Sequence, residues 1–220
     1  MTELLAADQV TCAAEGRPVV SGVSLRLHAG ESVALRGPSG SGKTMLLTTL
    51  AGLVPPESGA ILFKGEGLGL KSEARRHISS VFQTYGLFPL LTAAENVEIA
   101  LRIGGHEPAE ARDGARDALE SLALGPYGEH LTEELSGGQE QRVAVARALA
   151  IRPDVVLADE PTTEQDQFHR DLVLDRLMEM TANGAAVLIA THDDEVAGRC
   201  DRLLEIRDGH LVAPAAGGSG

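Results

Sequence analysis

The chain has 220 residues, 43% of them hydrophobic and 23% charged, which supports a sizeable core and excludes a wholly disordered chain. Nineteen basic against 32 acidic side chains leave a net charge of −13, which repels a nucleic-acid backbone and argues against nucleic acid as a partner. The apolar run Ala185–Ala190 falls far short of the roughly 20 residues that a membrane span needs.

In chain order, strands and helices alternate. Glu31–Arg36 is a short apolar run ending at Gly37 and reads as a buried strand; Thr44–Ala51 follows as a helix closed by Gly52. Pro55–Gly59 is a turn and Ala60–Lys64 a further strand. Ala93–Arg102 reads as helix until Gly104-Gly105 breaks it, Pro108–Leu122 as a charged helix, and Glu140–Ile151 as a strong helix stopped by Pro153. Val155–Ala158 and Ala185–Thr191 are continuous apolar runs of the kind a parallel sheet covered on both faces requires. Gln167–Met180 lies between them as helix. Arg202–Arg207, Asp208-Gly209 and His210–Val212 read as a hairpin with a type I′ turn. The expected organisation is one domain over 1–212: a core of about 1–85 and 151–212, a helical subdomain of about 86–150, and a flexible tail at 213–220.

The start, Met1-Thr2-Glu3-Leu4-Leu5, lacks the basic flank and long apolar run of a secretory signal. Cys12 and Cys200 cannot form a disulfide framework and read as small packing residues. A soluble protein in a reducing cytoplasm is the expectation.

Gly37-Pro38-Ser39-Gly40-Ser41-Gly42-Lys43-Thr44 fits G-x-x-x-x-G-K-[ST] between a predicted strand and a predicted helix. Its glycines let backbone N–H groups turn toward phosphate oxygens, and the following helix N-terminus adds partial positive charge. Lys43 would reach the β- and γ-phosphates of a nucleotide, and the Thr44 hydroxyl would coordinate Mg²⁺. Val155–Ala158 runs into Asp159 and Glu160. Asp159 at a strand end can hold Mg²⁺ through water, and Glu160, pointing elsewhere, can accept a proton from an attacking water. A second candidate cradle, Ser136-Gly137-Gly138-Gln139, precedes a helix. It would be idle unless it served a nucleotide on another copy.

The order GPSGSGKT, Gln83, LSGGQ, VVLADE and His192 resembles the ATPase subunit of ATP-binding cassette (ABC) transporters, over nearly the whole span from Val10 to Val212. The resemblance implies an α/β P-loop NTPase core with a mostly parallel sheet, an N-terminal antiparallel β portion and an inserted helical subdomain. It implies ATP and Mg²⁺ as ligands and a head-to-tail homodimer, each ATP lying between one copy's phosphate loop and the other's Ser136–Gln139. Gln83 would contact Mg²⁺ and the attacking water, His192 would touch the γ-phosphate, and Asp166 would lie in the loop that communicates across the dimer. That family loop usually reads Ser-Ala-Leu-Asp, so Glu164 and Gln165 depart from it. Family members also stack adenine on an aromatic side chain near the N-terminus, whereas Val10–Val20 has none and leaves Ala13 or Ala14 at that position.

Phe82, Tyr85 and Phe88 lie within seven residues of one another, beside Leu87, Pro89, Leu90 and Leu91. This segment, Phe82–Leu91, reads either as subdomain core or as an apolar groove that receives a helix of a membrane permease. Phe82-Gln83, Leu87–Thr92, Glu95–Glu98 and Leu157–Thr162 are similar to the macrolide-exporter and lipoprotein-releasing branch, which implies mechanotransmission at the cytoplasmic face of the cell membrane. A polar amino-acid importer ATPase, or a regulator of cell-wall hydrolysis in cell division that moves no substrate, are the alternatives.

Overall fold

The computed structural model describes residues 2–14 and 16–212; the tail expected at 213–220 lies outside the described residues. The chain opens with β1 (Glu3–Ala14), β2 (Arg17–His28) and β3 (Ser32–Arg36), followed by α1 (Lys43–Leu50), β4 (Ser58–Phe63), the two-residue β5 (Glu66–Gly67) and β6 (Ile78–Val81). Three helices come next: α2 (Ala93–Ile103), α3 (Pro108–Glu120) and α4 (Gly137–Ala150). β7 (Val155–Asp159), α5 (Gln167–Ala182), β8 (Ala186–Thr191), the short α6 (Asp194–Gly198) and the hairpin of β9 (Arg202–Arg207) and β10 (His210–Val212) complete the strands and α-helices of the described residues.

Two sheets result. The first is antiparallel, in the order β2-β1-β4-β5. The second, in the order β10-β9-β3-β8-β7-β6, is parallel except for β10 at its edge. Side chains of a strand alternate between faces, and in β7 and β8 both faces are covered. Val155, Leu157, Ala186 and Leu188 join a core shared with α1 and the antiparallel sheet. Val156, Ala158, Val187 and Ile189 join a second core built with α2, α3, α4 and α5. This is why both strands read as unbroken apolar runs. Burying one leucine such as Leu157 or Leu188 contributes about 2 kcal/mol relative to exposure.

β1 carries no comparable pattern, whereas β2 alternates over residues 23–27, with Val23, Leu25 and Leu27 buried and Ser24 and Arg26 exposed. Leu4, Leu5, Ala6 and Ala7 are all buried, and the β1–β2 register shifts at several points. Gln9, at φ 49°, sits in one of the irregular stretches. Such bulges re-aim side chains and erase period-two alternation. Helix α4 begins at Gly137, three residues before the expected start at Glu140. Two glycines of low helix propensity conceal its first turn, while the Ser136–Gln139 capping box secures it. The hairpin turn has Asp208 at φ 48° and Gly209 at φ 77°, as a type I′ turn requires. A Cβ on Gly209 would lie 2.3 Å from the Val19 carbonyl, so the same glycine lets the two sheets approach.

Candidate active site

The parallel strands deliver their carboxyl ends to one crevice, the usual place for a ligand in an open α/β sheet. β3 runs into residues 37–44, β6 into Gln83, β7 into Asp159 and Glu160, and β8 into His192. Pro38, Ser39, Gly40, Gly42, Lys43, Thr44, Gln83, Asp159, Glu160 and His192 line a single cavity of about 860 Å³. Gly37 and Ser41 complete the loop beneath it. Gly42 caps α1 at φ 99°, and a Cβ there would lie 2.7 Å from Val20. At this point the loop must be glycine on both conformational and steric grounds.

Lys43 is mostly buried and folds over the loop, its Nζ donating to the Gly37 carbonyl at 2.7 Å and the Pro38 carbonyl at 3.1 Å. The Thr44 hydroxyl donates to Asp159 Oδ2. Burial pushes the Asp159 carboxyl above its ordinary value, opposed in part by that hydrogen bond. Asp159 Oδ1 and Ser41 Oγ are buried without a partner. The unsatisfied Asp159 oxygen, on a carboxylate that also meets the Thr44 hydroxyl, fits a hard cation that takes oxygen ligands; Ser41 is not in the cavity lining.

Glu160 leaves the end of β7 at φ 50°, in the left-handed region that a residue with a Cβ enters at a cost. Its N–H donates to the Ala190 carbonyl at 2.9 Å, and its own carbonyl accepts from Gln141 Nε2 at 2.9 Å. This turn separates the two acidic side chains. Asp159 faces Thr44, whereas Glu160 Oε1 meets His192 Nδ1 at 2.6 Å and Oε2 accepts from the Thr191 hydroxyl at 3.2 Å. Glu160 is 7% exposed; the His192 side chain is largely open to the cavity. A buried carboxylate paired with an imidazole is equipped to take a proton from water.

The second cradle stands apart. Ser136, Gly137, Gly138, Gln139 and Asp166 line a separate cavity of about 520 Å³ that shares no residue with the first. The Ser136 hydroxyl accepts from the Gln139 N–H, and the Gln139 side chain accepts from the Ser136 N–H. Gly138 is demanded from within the chain, because a Cβ there would lie 2.5 Å from the Glu164 carbonyl. Asp166 caps α5 and accepts from both the N–H and the ring Nδ1 of His169, contacts that hold its carboxyl below the usual range. The structure therefore keeps the two sets of predicted residues in separate cavities.

Ala13 and Ala14 are absent from the lining of the first cavity, whereas Val19 of β2 is present. Thr191 and Gln141, both buried, were missed by sequence reasoning. Gln141 left one signal: a polar residue on the helix face that also carries Val145 and Ala144 into the core. Phe82 packs against the first core and Tyr85 and Leu87 against the second. Phe88 and Leu90 of the same segment are 51% and 78% exposed.

Comparison with known proteins gives this geometry its setting. The family model described as ABC transporter matches residues 20–163. The lipoprotein-releasing system ATP-binding protein LolD of Pseudomonas fluorescens is 44% identical over 202 residues, covering 89% of each chain. The macrolide export ATP-binding/permease protein MacB of Brucella melitensis is 42% identical over 201 residues, covering 89% of this chain and 31% of that longer protein. A solved dimeric structure of the ATP-binding cassette MJ0796, in a post-hydrolysis state bound to ADP and Pi, superposes with a TM-score of 0.90 at 33% identity, covering 96% of this chain and 97% of that one. A family match across most of the chain and relatives above 40% identity place it among the ATPase domains of the ABC transporter family, to which the chain belongs.

Proposed function

We propose that the chain is the ATP-hydrolysing subunit of an ABC transporter, closing head to tail with a second copy around two ATP molecules and driving a separate membrane permease. The observation that carries this reading is the division of labour at the end of β7. Asp159 is turned to Thr44 and the phosphate loop, while Glu160 is turned to His192 across the same cavity.

In this reading Lys43 and the N–H groups of residues 37–44 hold the β- and γ-phosphates. Thr44, Asp159 and Gln83 would hold Mg²⁺, which would neutralise charge on the phosphate oxygens. Glu160 accepts a proton from the attacking water at its carboxylate, and His192 Nδ1 fixes the orientation of that carboxylate while its ring lies toward the γ-phosphate. Gln83 orients the same water. Ser136, Gly137, Gly138 and Gln139 of the second copy close the site from the γ-phosphate side, and Asp166 approaches from the same copy. The separation of the two cavities within one chain is what a site shared between copies requires, and the dimeric ATP-binding cassette above supplies the analogy.

Coupling is assigned to the segment Phe82–Leu91. Its backbone is clamped: Arg147 donates to the Tyr85 and Gly86 carbonyls, and the buried Asn96 side chain bonds both the N–H and the carbonyl of Phe88. The apolar side chains of Phe88 and Leu90 project outward from this rigid base, a surface suited to a short permease helix. No helix among the described residues is long and apolar enough to cross a membrane, so the permease must come from another chain or segment. Similarity to the LolD and MacB sequences favours mechanotransmission from the cytoplasmic face of the membrane, for export or lipoprotein release.

Glu160→Gln tests the reading. Loss of a general base costs about 10²–10⁴-fold in turnover, so hydrolysis should fall by at least about a hundredfold while an ATP-bound dimer accumulates in size-exclusion chromatography. Wild-type turnover in this variant would remove Glu160 from the mechanism. Pull-down of the trapped variant from native membranes should recover a four-helix permease with a large extracytoplasmic domain. A compact importer-type permease would instead place the chain in the amino-acid importer branch.

A further inference from the structure

We propose that Gln165 is a positioning residue that locks the second cradle of each chain to that chain's own Glu160. The inference rests on the assignment of Glu160 as proton acceptor and goes beyond it.

The side chain of Gln165 reaches back from the loop before α5 to the first turn of α4. Its Nε2 donates to the Gly138 carbonyl at 2.8 Å and to Gln141 Oε1 at 2.8 Å. Gln141 is 2% exposed. Its Oε1 also accepts from the Glu164 N–H at 3.3 Å, and its Nε2 donates to the Glu160 carbonyl at 2.9 Å. A second donor, the Thr163 hydroxyl, reaches that same carbonyl at 3.3 Å. The result is an unbroken polar chain from Gly138 of the cradle through Gln165 and Gln141 to the peptide of Glu160, whose carboxylate meets His192.

The orientation of the Gln141 amide decides whether this chain holds. An amide presents a donor on one side and an acceptor on the other, and the two are nearly equal in shape. Reversed, Gln141 would set an oxygen against the Glu160 carbonyl and withdraw a donor that steadies a residue in a left-handed conformation. Two donors, the Glu164 N–H and Gln165 Nε2, stand against the reversal, and the Gln165 contact is the shorter. A leucine at 165, the usual family residue there, brings no donor. The departure noted in the sequence thus has a physical role within a single chain. An ordered cradle keeps Gly138 against the 163–165 loop, and through Gln141 it keeps Glu160 aimed at the cavity.

Gln165→Leu removes both hydrogen bonds at similar volume, and Gln165→Glu keeps the shape while setting an oxygen against two acceptors. Steady-state ATP turnover of the full chain separates positioning from packing. Gln165→Leu should lower kcat about fivefold, within the range for loss of one or two neutral hydrogen bonds, with KM for ATP within about twofold of wild type. Gln165→Glu should lower kcat further, and both variants should be fully folded at the assay temperature, unfolding in one cooperative transition a few degrees below wild type. Unchanged kcat in both variants, or a fall in kcat matched by an equal loss of folded protein, overturns the inference while leaving wild-type hydrolysis and the proposed function intact. A wild-type chain that does not hydrolyse ATP overturns both.

Discussion

The two candidate anion cradles are built from similar residues and differ in the kind of polar group that each leaves without a partner. In the first, Asp159 Oδ1 is buried with no partner, and Lys43 Nζ donates to two loop carbonyls. In the second, Ser136 and Gln139 satisfy one another and the Gly138 carbonyl takes hydrogen bonds from Gln165 and Arg142, while the group left buried without a partner is a donor, Nη1 of Arg142. A buried unpaired polar atom costs about 1–3 kcal/mol. The first cradle therefore holds a buried carboxylate oxygen whose penalty a cation would relieve, and the second a buried guanidinium N–H whose penalty an anion would relieve; in the proposed reading that anion is the phosphate of a nucleotide on the second copy. This contrast is what a nucleotide site that loads on one chain and closes on another needs.

The largest effect should come from treating the two cradles alike. Charge-assisted hydrogen bonds are worth about 1.5–3 kcal/mol, so Lys43→Ala should weaken ATP binding to the isolated chain by about ten- to a hundredfold. Ser136→Ala should leave that binding unchanged and lower turnover only when the dimer closes. Isothermal titration paired with turnover measurements would distinguish the two. If Ser136→Ala weakens ATP binding to the monomer as Lys43→Ala does, the division between loading and closing cradles is lost.

A middle-sized effect concerns the base. Stacking of a base on an aromatic side chain is worth about 1–3 kcal/mol, and the cavity offers Val19, Met45 and Val54 as its apolar surfaces. ATP and GTP should therefore bind within about tenfold of each other and weakly, since neither gains that stacking energy. Competition titrations check this, and tight, strongly ATP-selective binding would mean that another group recognises adenine.

What the sequence disclosed and what it hid follow from the same physics. β7 and β8 were legible because both of their faces are buried, and the 202–212 hairpin because Asp208-Gly209 is the chemistry a type I′ turn requires. β6, with two serines in four residues, and the bulged β1 lack such patterns. The alternation of β2 over residues 23–27 was there to read and was missed, so of the antiparallel sheet only the strand at Ala60–Lys64 came from the residues and the rest from family resemblance. In the site, the loop 37–44 and the Asp159-Glu160 pair were legible because their function requires contiguous residues in one register. The contacts of Thr191, Gln141 and Gln165 were hidden, because their partners lie 31, 19 and 27 positions away and only the fold brings them together. Gly138 shows how the two views differ. Read as a phosphate-binding glycine, it proves also to be a packing glycine against Glu164.

The smallest predicted effect tests the standing penalty of the first cradle directly. Asp159 has its folded pKa raised above the ordinary 3.8, first by burial. The nucleotide-free folded state therefore binds a proton more tightly than the unfolded chain does. Its stability must then decline as pH rises from the unfolded value through the raised folded one, and the loss persists at neutral pH. Asp159→Asn removes the charge and keeps an oxygen to accept from Thr44. It should stabilise the nucleotide-free protein by about 1 kcal/mol, or about 2–4 °C in Tm for a chain of this size. Other carboxylates, such as Asp201 held low by Ser32, give the opposite slope in acid, so the quantity to follow is the difference in Tm between variant and wild type. That difference should grow as pH rises past the ordinary carboxylate range and vanish well below it. The variant should gain little stability from Mg·ATP, since the carboxylate that the cation would neutralise is gone. A variant less stable than wild type at neutral pH would show that Asp159 is already compensated in the free chain, and the contrast between the cradles would then have to rest on Lys43 alone.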